Sequence, residues 1–177
     1  MKSKRALELT LAILKPHVIK SPFALQSIRD VIIKNDFKVI KSQRIVISEN
    51  EASLFYADHK GKFFYNRLLT FMTSGPSDVH ILAGHDAIAR WRKLLGPTKV
   101  YKAQFSDPDS IRGTFGLSDT RNAAHGSDSK DSAEREIAIF FKDFDIQKWY
   151  ETEEDHYIFG KLDLDPTTFV HTINKSL

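Results

Sequence analysis

His125 stands in the segment Asn122-Ala123-Ala124-His125-Gly126-Ser127-Asp128, and this company separates it from the six other histidines of the chain. Ala123, Ala124 and Gly126 leave space around the ring, while Asn122, Ser127 and Asp128 supply polar partners. Imidazole titrates near 6.5, so at neutral pH one ring nitrogen can attack as a nucleophile while a partner on the other fixes the tautomer. Such a group could take up a phosphoryl group and pass it on. On these residues alone, a packed structural histidine remains the alternative.

Glu136 is the candidate partner. On a helix its neighbours at i−3 and i+4 are Ala133 and Phe140, both on the apolar face, whereas Glu134 points to solvent. A carboxylate at the core boundary costs free energy unless it is hydrogen-bonded. A bond to the Ser127 hydroxyl, which would in turn steady His125, satisfies it; a helix-edge salt bridge is the other reading.

Phosphoryl transfer asks the protein for positive charge around the phosphates more than for covalent chemistry. Lys15 ends a strand, Arg92 lies near the end of a helix, and Arg112 sits beside Gly113 in a long aperiodic stretch. Arginine forks match phosphate oxygens bidentately, and Thr98 could add a hydroxyl. Phe64, in Gly61-Lys62-Phe63-Phe64-Tyr65, could stack on a base or simply pack in the core. No Gly-x-x-x-x-Gly-Lys-Ser/Thr motif is present, which excludes a P-loop enzyme by motif.

These residues must be positioned by local structure. Leu7 to Leu14 alternates as a strand, nearly apolar on both faces at its end, and Lys15-Pro16 stops it. Ser21-Pro22 starts a helix carrying Ala24, Leu25, Ile28, Val31 and Ile32, and Phe37 to Ile47 reads as a second strand. Ser48-Glu49-Asn50-Glu51 is a capping box for a helix through Phe55 and Tyr56 that breaks near Gly61. A short helix follows with Phe64, Leu68, Phe71 and Met72, then a strand from Val79 to Ala83 and a helix from Ala87 to Leu95. Pro97 to Ser118 holds no period and reads as a loop; a brief strand spans Arg121 to Ala124. Ala133, Ile137, Phe140 and Phe141 mark the last clear helix, started by Ser129 or Asp131, and the remaining tail is expected to wrap the domain. Leaving out the extra helices, the order is βαββαβ: an α+β, ferredoxin-like sandwich whose antiparallel sheet carries helices on one face.

A length of 177 residues suits one core, and 41% hydrophobic with 28% charged residues is an ordinary globular balance. A net charge of +3, spread along the chain, is too weak for a nucleic-acid stripe. No apolar run is long enough to span a bilayer. The absence of cysteine removes disulfides and thiolate chemistry and fits a reducing compartment, so a cytoplasmic location is expected. The basic start Met1 to Ala6 lacks an apolar signal region, and a mitochondrial-type leader stays open as the alternative.

Asn122-Ala-Ala-His125-Gly-Ser-Asp128 resembles the signature of the nucleoside diphosphate kinases. The resemblance continues in order through Leu14-Lys15-Pro16, Phe55-Tyr56, Ser74-Gly75-Pro76, Leu95-Gly96-Pro97-Thr98, Ile111-Arg112-Gly113 and Ser132-Ala-Glu-Arg-Glu136. It implies the same ferredoxin-like fold, with residues 7–150 as the family domain and 151–177 as a C-terminal extension packed on or trailing it. It further implies that His125 is the phosphorylated nucleophile, oriented by Glu136 and Ser127. Lys15, Tyr56, Arg92, Thr98, Arg112 and Asn122 match phosphate and sugar contacts, and Phe64 with Leu68 matches the base clamp. Magnesium, in the family, is held by the nucleotide phosphates, so no protein ligand is assigned to it. Nucleoside di- and triphosphates are the implied partners, in a ping-pong exchange by a homo-oligomer. The rival expectation is a nucleotide-binding regulatory partner of another protein, with little activity of its own. His17 departs from the family's usual Asp, the stretch from Thr98 to Arg112 is longer than usual, and the tail is atypical; the last two features resemble a divergent branch.

Overall fold

The computed structural model describes residues 6–176; the basic start, Met1 to Arg5, lies outside them. Strand β1 (Glu8–Leu14) is followed by a four-residue helix α1 (Pro16–Ile19), helix α2 (Pro22–Lys34) and strand β2 (Lys38–Ile45). Ser21 caps α2 by accepting from the Ala24 N–H, with Pro22 at the first helical position as the sequence indicates. Helix α3 (Glu49–Phe55) carries the complete Ser48–Glu51 capping box and passes into a 3₁₀ turn over Ala57–His59. Then come α4 (Tyr65–Met72), β3 (Ser77–Gly84), α5 (Ala87–Leu95), α6 (Val100–Ser106), α7 (Ile111–Phe115), β4 (Ala124–Gly126) and α8 (Lys130–Phe140). The tail contributes α9 (Ile146–Thr152), α10 (Glu154–Phe159) and a hairpin of β5 (Leu162–Asp165) and β6 (Val170–Ile173).

The main sheet has the order β2-β3-β1-β4, antiparallel throughout, which is the ferredoxin-like arrangement. Its central strand β1 buries Leu9, Leu11 and Ile13 on one face and Ala12 and Leu14 on the other. A strand apolar on both faces must be covered on both. The crossover helices α2 and α5 cover one face with Ile28, Ile32, Trp91 and Leu95. The helices outside the βαββαβ frame, α3 and α4, join α8 on the second face through Phe55, Leu68, Phe71, Ile137 and Phe140. No helix among the described residues is long and apolar enough to cross a membrane.

Two expectations need correction. The stretch from Pro97 to Ser118 is not one loop but holds α6 and α7. Each is too short to display a helical period; α7 is held by the Ser110 side chain accepting from the Gly113 N–H, and the first N–H of α6 bonds Asp119, distant in sequence. The last strand of the main sheet is Ala124–Gly126, not Arg121–Ala124. Ala123 adopts a positive φ of 76°, and the Leu117 N–H bonds the Arg121 carbonyl, so the residues before Ala124 form a turn. The shift puts His125 inside the sheet, opposite Ile13.

The tail closes on both ends of the fold. The Glu154 carboxylate accepts from the Ala6 and Leu7 N–H groups, each at 2.8 Å. Trp149 and Tyr157 join one apolar cluster and Phe169 the other. Across the β2 edge, the Val39 N–H donates to His171 Nδ1 at 2.8 Å. Burial, its largest cause, lowers the His171 pKa and favours the neutral ring that this bond needs.

Candidate active site

The register of β4 against β1 fixes the backbone of His125, and the Trp91 indole N–H donates to its carbonyl at 3.0 Å. Gly126 must be glycine here, because a Cβ would meet Trp91 Cδ1 at 2.5 Å. The His125 ring packs edge-on against Phe55 with centroids 4.7 Å apart. Its Nε2 lies 2.9 Å from Glu136 Oε1, and the Ser127 hydroxyl donates to the same oxygen at 2.8 Å. Ser127 Oγ in turn accepts the Leu11 N–H at 3.1 Å, which ties the group to the central strand.

A carboxylate only accepts, so Nε2 carries the proton and Nδ1 keeps its lone pair. Glu136 is almost wholly buried in α8 beside Ala133, Ile137 and Phe140. Two donors on one oxygen offset that burial. The expected role of Ser127 is therefore displaced by one bond: it steadies Glu136, and Glu136 holds His125 directly.

His125 opens on a cleft of about 890 Å³, and Lys15, Tyr56, Phe64, Leu68, Arg92, Thr98, Arg112 and Asn122 all line it. Fully buried Ser127 is not part of this lining. Lys15 is buried at the end of β1, its Nζ donating to the Thr120 carbonyl at 3.3 Å. Burial, and then the Arg112 charge, lower its pKa from 10.5 to about 7. Arg112 bridges two walls, donating to the Gly96 carbonyl at 2.9 Å and the Ala124 carbonyl at 3.0 Å. Burial, followed by the neighbouring Arg92 charge, lowers its pKa to about 10, which leaves it cationic at neutral pH.

The Tyr56 hydroxyl is pushed above its ordinary value by burial first and by Glu136 second, so it remains a donor. Gly96 forms the turn before Thr98 with φ +80°, and a Cβ there would strike the Ser110 side chain. Two buried polar atoms on the cleft wall, Arg112 Nε and Asn122 Oδ1, have no hydrogen-bond partner among the described residues. Buried polar groups left unpaired are uncommon in folded chains.

The cleft also gathers residues that the sequence did not single out. His59 packs against Tyr56 and Phe64, and its Nδ1 lies 3.1 Å from Lys62 Nζ. The one available signal was its spacing three residues after Tyr56. Arg67, beside Leu68, and Asp119, three residues before Asn122, line the same space. The lining falls into a cationic part around His125 and an aromatic and aliphatic part around Phe64 and Leu68. That division suits an amphiphilic ligand with a polyanion at one end and a flat ring at the other.

A family model described as nucleoside diphosphate kinase matches residues 8–146. The chain is 46% identical over 173 residues to the Homo sapiens protein named nucleoside diphosphate kinase 6, covering 98% of this chain and 93% of that one. Among solved structures, the Aquifex aeolicus nucleoside diphosphate kinase superposes with a TM-score of 0.73 and 38% identity, covering 77% of this chain and 96% of that one. A nucleoside diphosphate kinase from Halobacterium salinarum, in complex with CDP, gives 0.71 and 32%, with 81% and 97% covered.

Proposed function

Because the chain belongs to the nucleoside diphosphate kinase family, we propose that it moves the γ-phosphoryl group of a nucleoside triphosphate to a nucleoside diphosphate through a phosphohistidine at His125. The observation that carries this reading is the engagement of Nε2 by Glu136, which leaves Nδ1 as the one ring nitrogen free to attack. In the first half-reaction the Nδ1 lone pair attacks the γ-phosphorus in line. The bond from phosphorus to the β,γ-bridging oxygen breaks, and the diphosphate leaves. Glu136 offsets the positive charge that develops on the ring. In the second half-reaction a β-phosphate oxygen of another diphosphate attacks, and the phosphorus–nitrogen bond breaks.

Arg92, Arg112 and Lys15 stabilise charge on the moving phosphoryl group, Thr98 and Tyr56 donate hydroxyls, and Lys15 with Asn122 approaches the ribose 3′-hydroxyl. Phe64 and Leu68 hold the base. Cations repel a metal ion, so this set of donors suits Mg²⁺ already chelated by the nucleotide; bound there, it would neutralise phosphate charge.

The test is incubation with γ-labelled ATP followed by a GDP chase. Wild type should take up acid-labile, base-stable label and release it as GTP, and His125→Asn should take up none. An unlabelled wild type, or label that survives the substitution, overturns the reading. The outward-facing Tyr101 and Phe105 of α6, 83% and 85% exposed, favour a second reading, a nucleotide-binding partner of another protein. That protein would bind nucleotide in the same assay and acquire no label. A homo-oligomer is part of the first reading, checked by sedimentation.

Lys15 gives the binding step a pH signature. With its pKa lowered to about 7, it is charged below that pH and neutral above it. A bound polyphosphate favours the charged form and draws a proton back. Calorimetry at pH 8 in buffers of different ionisation enthalpy should therefore show uptake of close to one proton per nucleotide, fading below pH 6. Lys15→Met should abolish the uptake; identical heats in all buffers for wild type would exclude it.

A further inference from the structure

Asp119 is an acidic side chain on the wall of a cleft whose other charged residues are mostly cations. Two neighbouring contacts tie its segment to the nucleotide-binding residues: Asn122 Nδ2 donates to the Asp119 carbonyl at 3.1 Å, and Lys15 Nζ to that of Thr120 at 3.3 Å. Its carboxylate is held from one side only. Oδ1 accepts the Val100 N–H at 3.2 Å, which satisfies the start of α6. Oδ2 has no hydrogen-bond partner, and no cation lies within ion-pair distance, among the described residues. The result is an exposed carboxylate with one oxygen outside any protein hydrogen bond, on a residue that lines the cleft holding Phe64 and Leu68 as well as the neighbouring pocket beside Phe71 and Arg121.

We infer that Asp119 selects among bases, favouring nucleotides with an amino group at the pyrimidine 4 or purine 6 position over those with a carbonyl there. The inference rests on the nucleotide reading above. An exocyclic amino group donates to a carboxylate oxygen, whereas a carbonyl presents a second partial negative charge to it. Cytosine and adenine fit; uracil and hypoxanthine, of nearly the same shape, are disfavoured. A ring stacked on Phe64 gains affinity without regard to this edge, so the carboxylate adds discrimination to a tolerant clamp. The cap on Val100 alone would be served equally by an asparagine.

That equivalence supplies the test. In Asp119→Asn the Val100 N–H keeps the amide oxygen in the place of Oδ1, so the amide nitrogen, a donor, replaces Oδ2. Affinities of CDP, UDP, ADP and IDP for the whole protein are measured by calorimetry, alongside labelling of His125. Wild type should bind CDP over UDP, and ADP over IDP, by roughly tenfold, the scale of one hydrogen bond to a charged group. Asp119→Asn should reverse both ratios while His125 still takes label. Equal affinities within each pair, or unchanged ratios in the variant, overturn the assignment to Asp119 and leave the kinase reading standing. Failure of all four nucleotides to bind overturns both.

Discussion

Glu136→Ala is expected to slow phosphorylation of His125 by about 10²–10³-fold, between the effect of losing a ligand-orienting partner and that of losing a triad carboxylate. The loss has two sources. Without Oε1, nothing fixes the proton on Nε2, and a fraction of the rings carry it on Nδ1, the nitrogen proposed to attack. The carboxylate that offsets the imidazolium charge during attack is also gone. Stability should fall as well, because the wholly buried Ser127 hydroxyl loses its acceptor, at a cost of roughly 1–3 kcal/mol. Glu136→Gln separates the effects: its amide oxygen can accept from both donors, so folding should recover while the rate stays well below wild type. Rapid-quench labelling gives the rate and urea titration the stability. A Glu136→Ala protein labelled at the wild-type rate would show that Glu136 does not orient His125.

Glu136 was legible because helical spacing alone puts it with Ala133 and Phe140, and a carboxylate on such a face needs a nearby donor. Ser127 was legible as a member of the group but not in its place. One bond's difference depends on β4 pairing with β1, and a three-residue strand leaves no pattern of its own. The same limit hid α6 and α7. Val100 and Ala103 are the buried positions of α6, while Tyr101 and Phe105 face outward, so no apolar period forms. Glu154 reads as one charge in an acidic run, yet its carboxylate bonds the N–H groups of Ala6 and Leu7 at the opposite end of the chain. Long-range polar contacts of this kind leave no local trace. The coverage of the sheet on both faces corrects the expected single helical face: the crossover helices do lie on one side, but α3, α4 and α8 cover the other, where β1 turns Leu9, Leu11 and Ile13.

Arg112→Ala should lose both fold and function, and the pair of losses can be told from a simple loss of charge. Its guanidinium joins the Gly96 carbonyl, in the turn before Thr98, to the Ala124 carbonyl, immediately before His125. Removing the fork unpairs two carbonyls at one stroke, one of them at the start of the strand that carries His125. With charge-assisted bonds each worth about 1.5–3 kcal/mol, a fall in stability of at least roughly 2 kcal/mol is expected. On the proposed reading the cleft also loses a fixed cation that faces the phosphates, which should lower kcat/KM by about 10²–10³-fold. Arg112→Lys restores the charge, but one ammonium on a flexible stem cannot hold both carbonyls in a planar fork. It should therefore regain little of the stability and only part of the rate, with KM recovering more than kcat. Full recovery by lysine would mean that Arg112 contributes charge alone and that the alignment of Thr98 with His125 is set elsewhere. Failure of lysine, with both carbonyls unpaired, would locate that alignment in the fork itself.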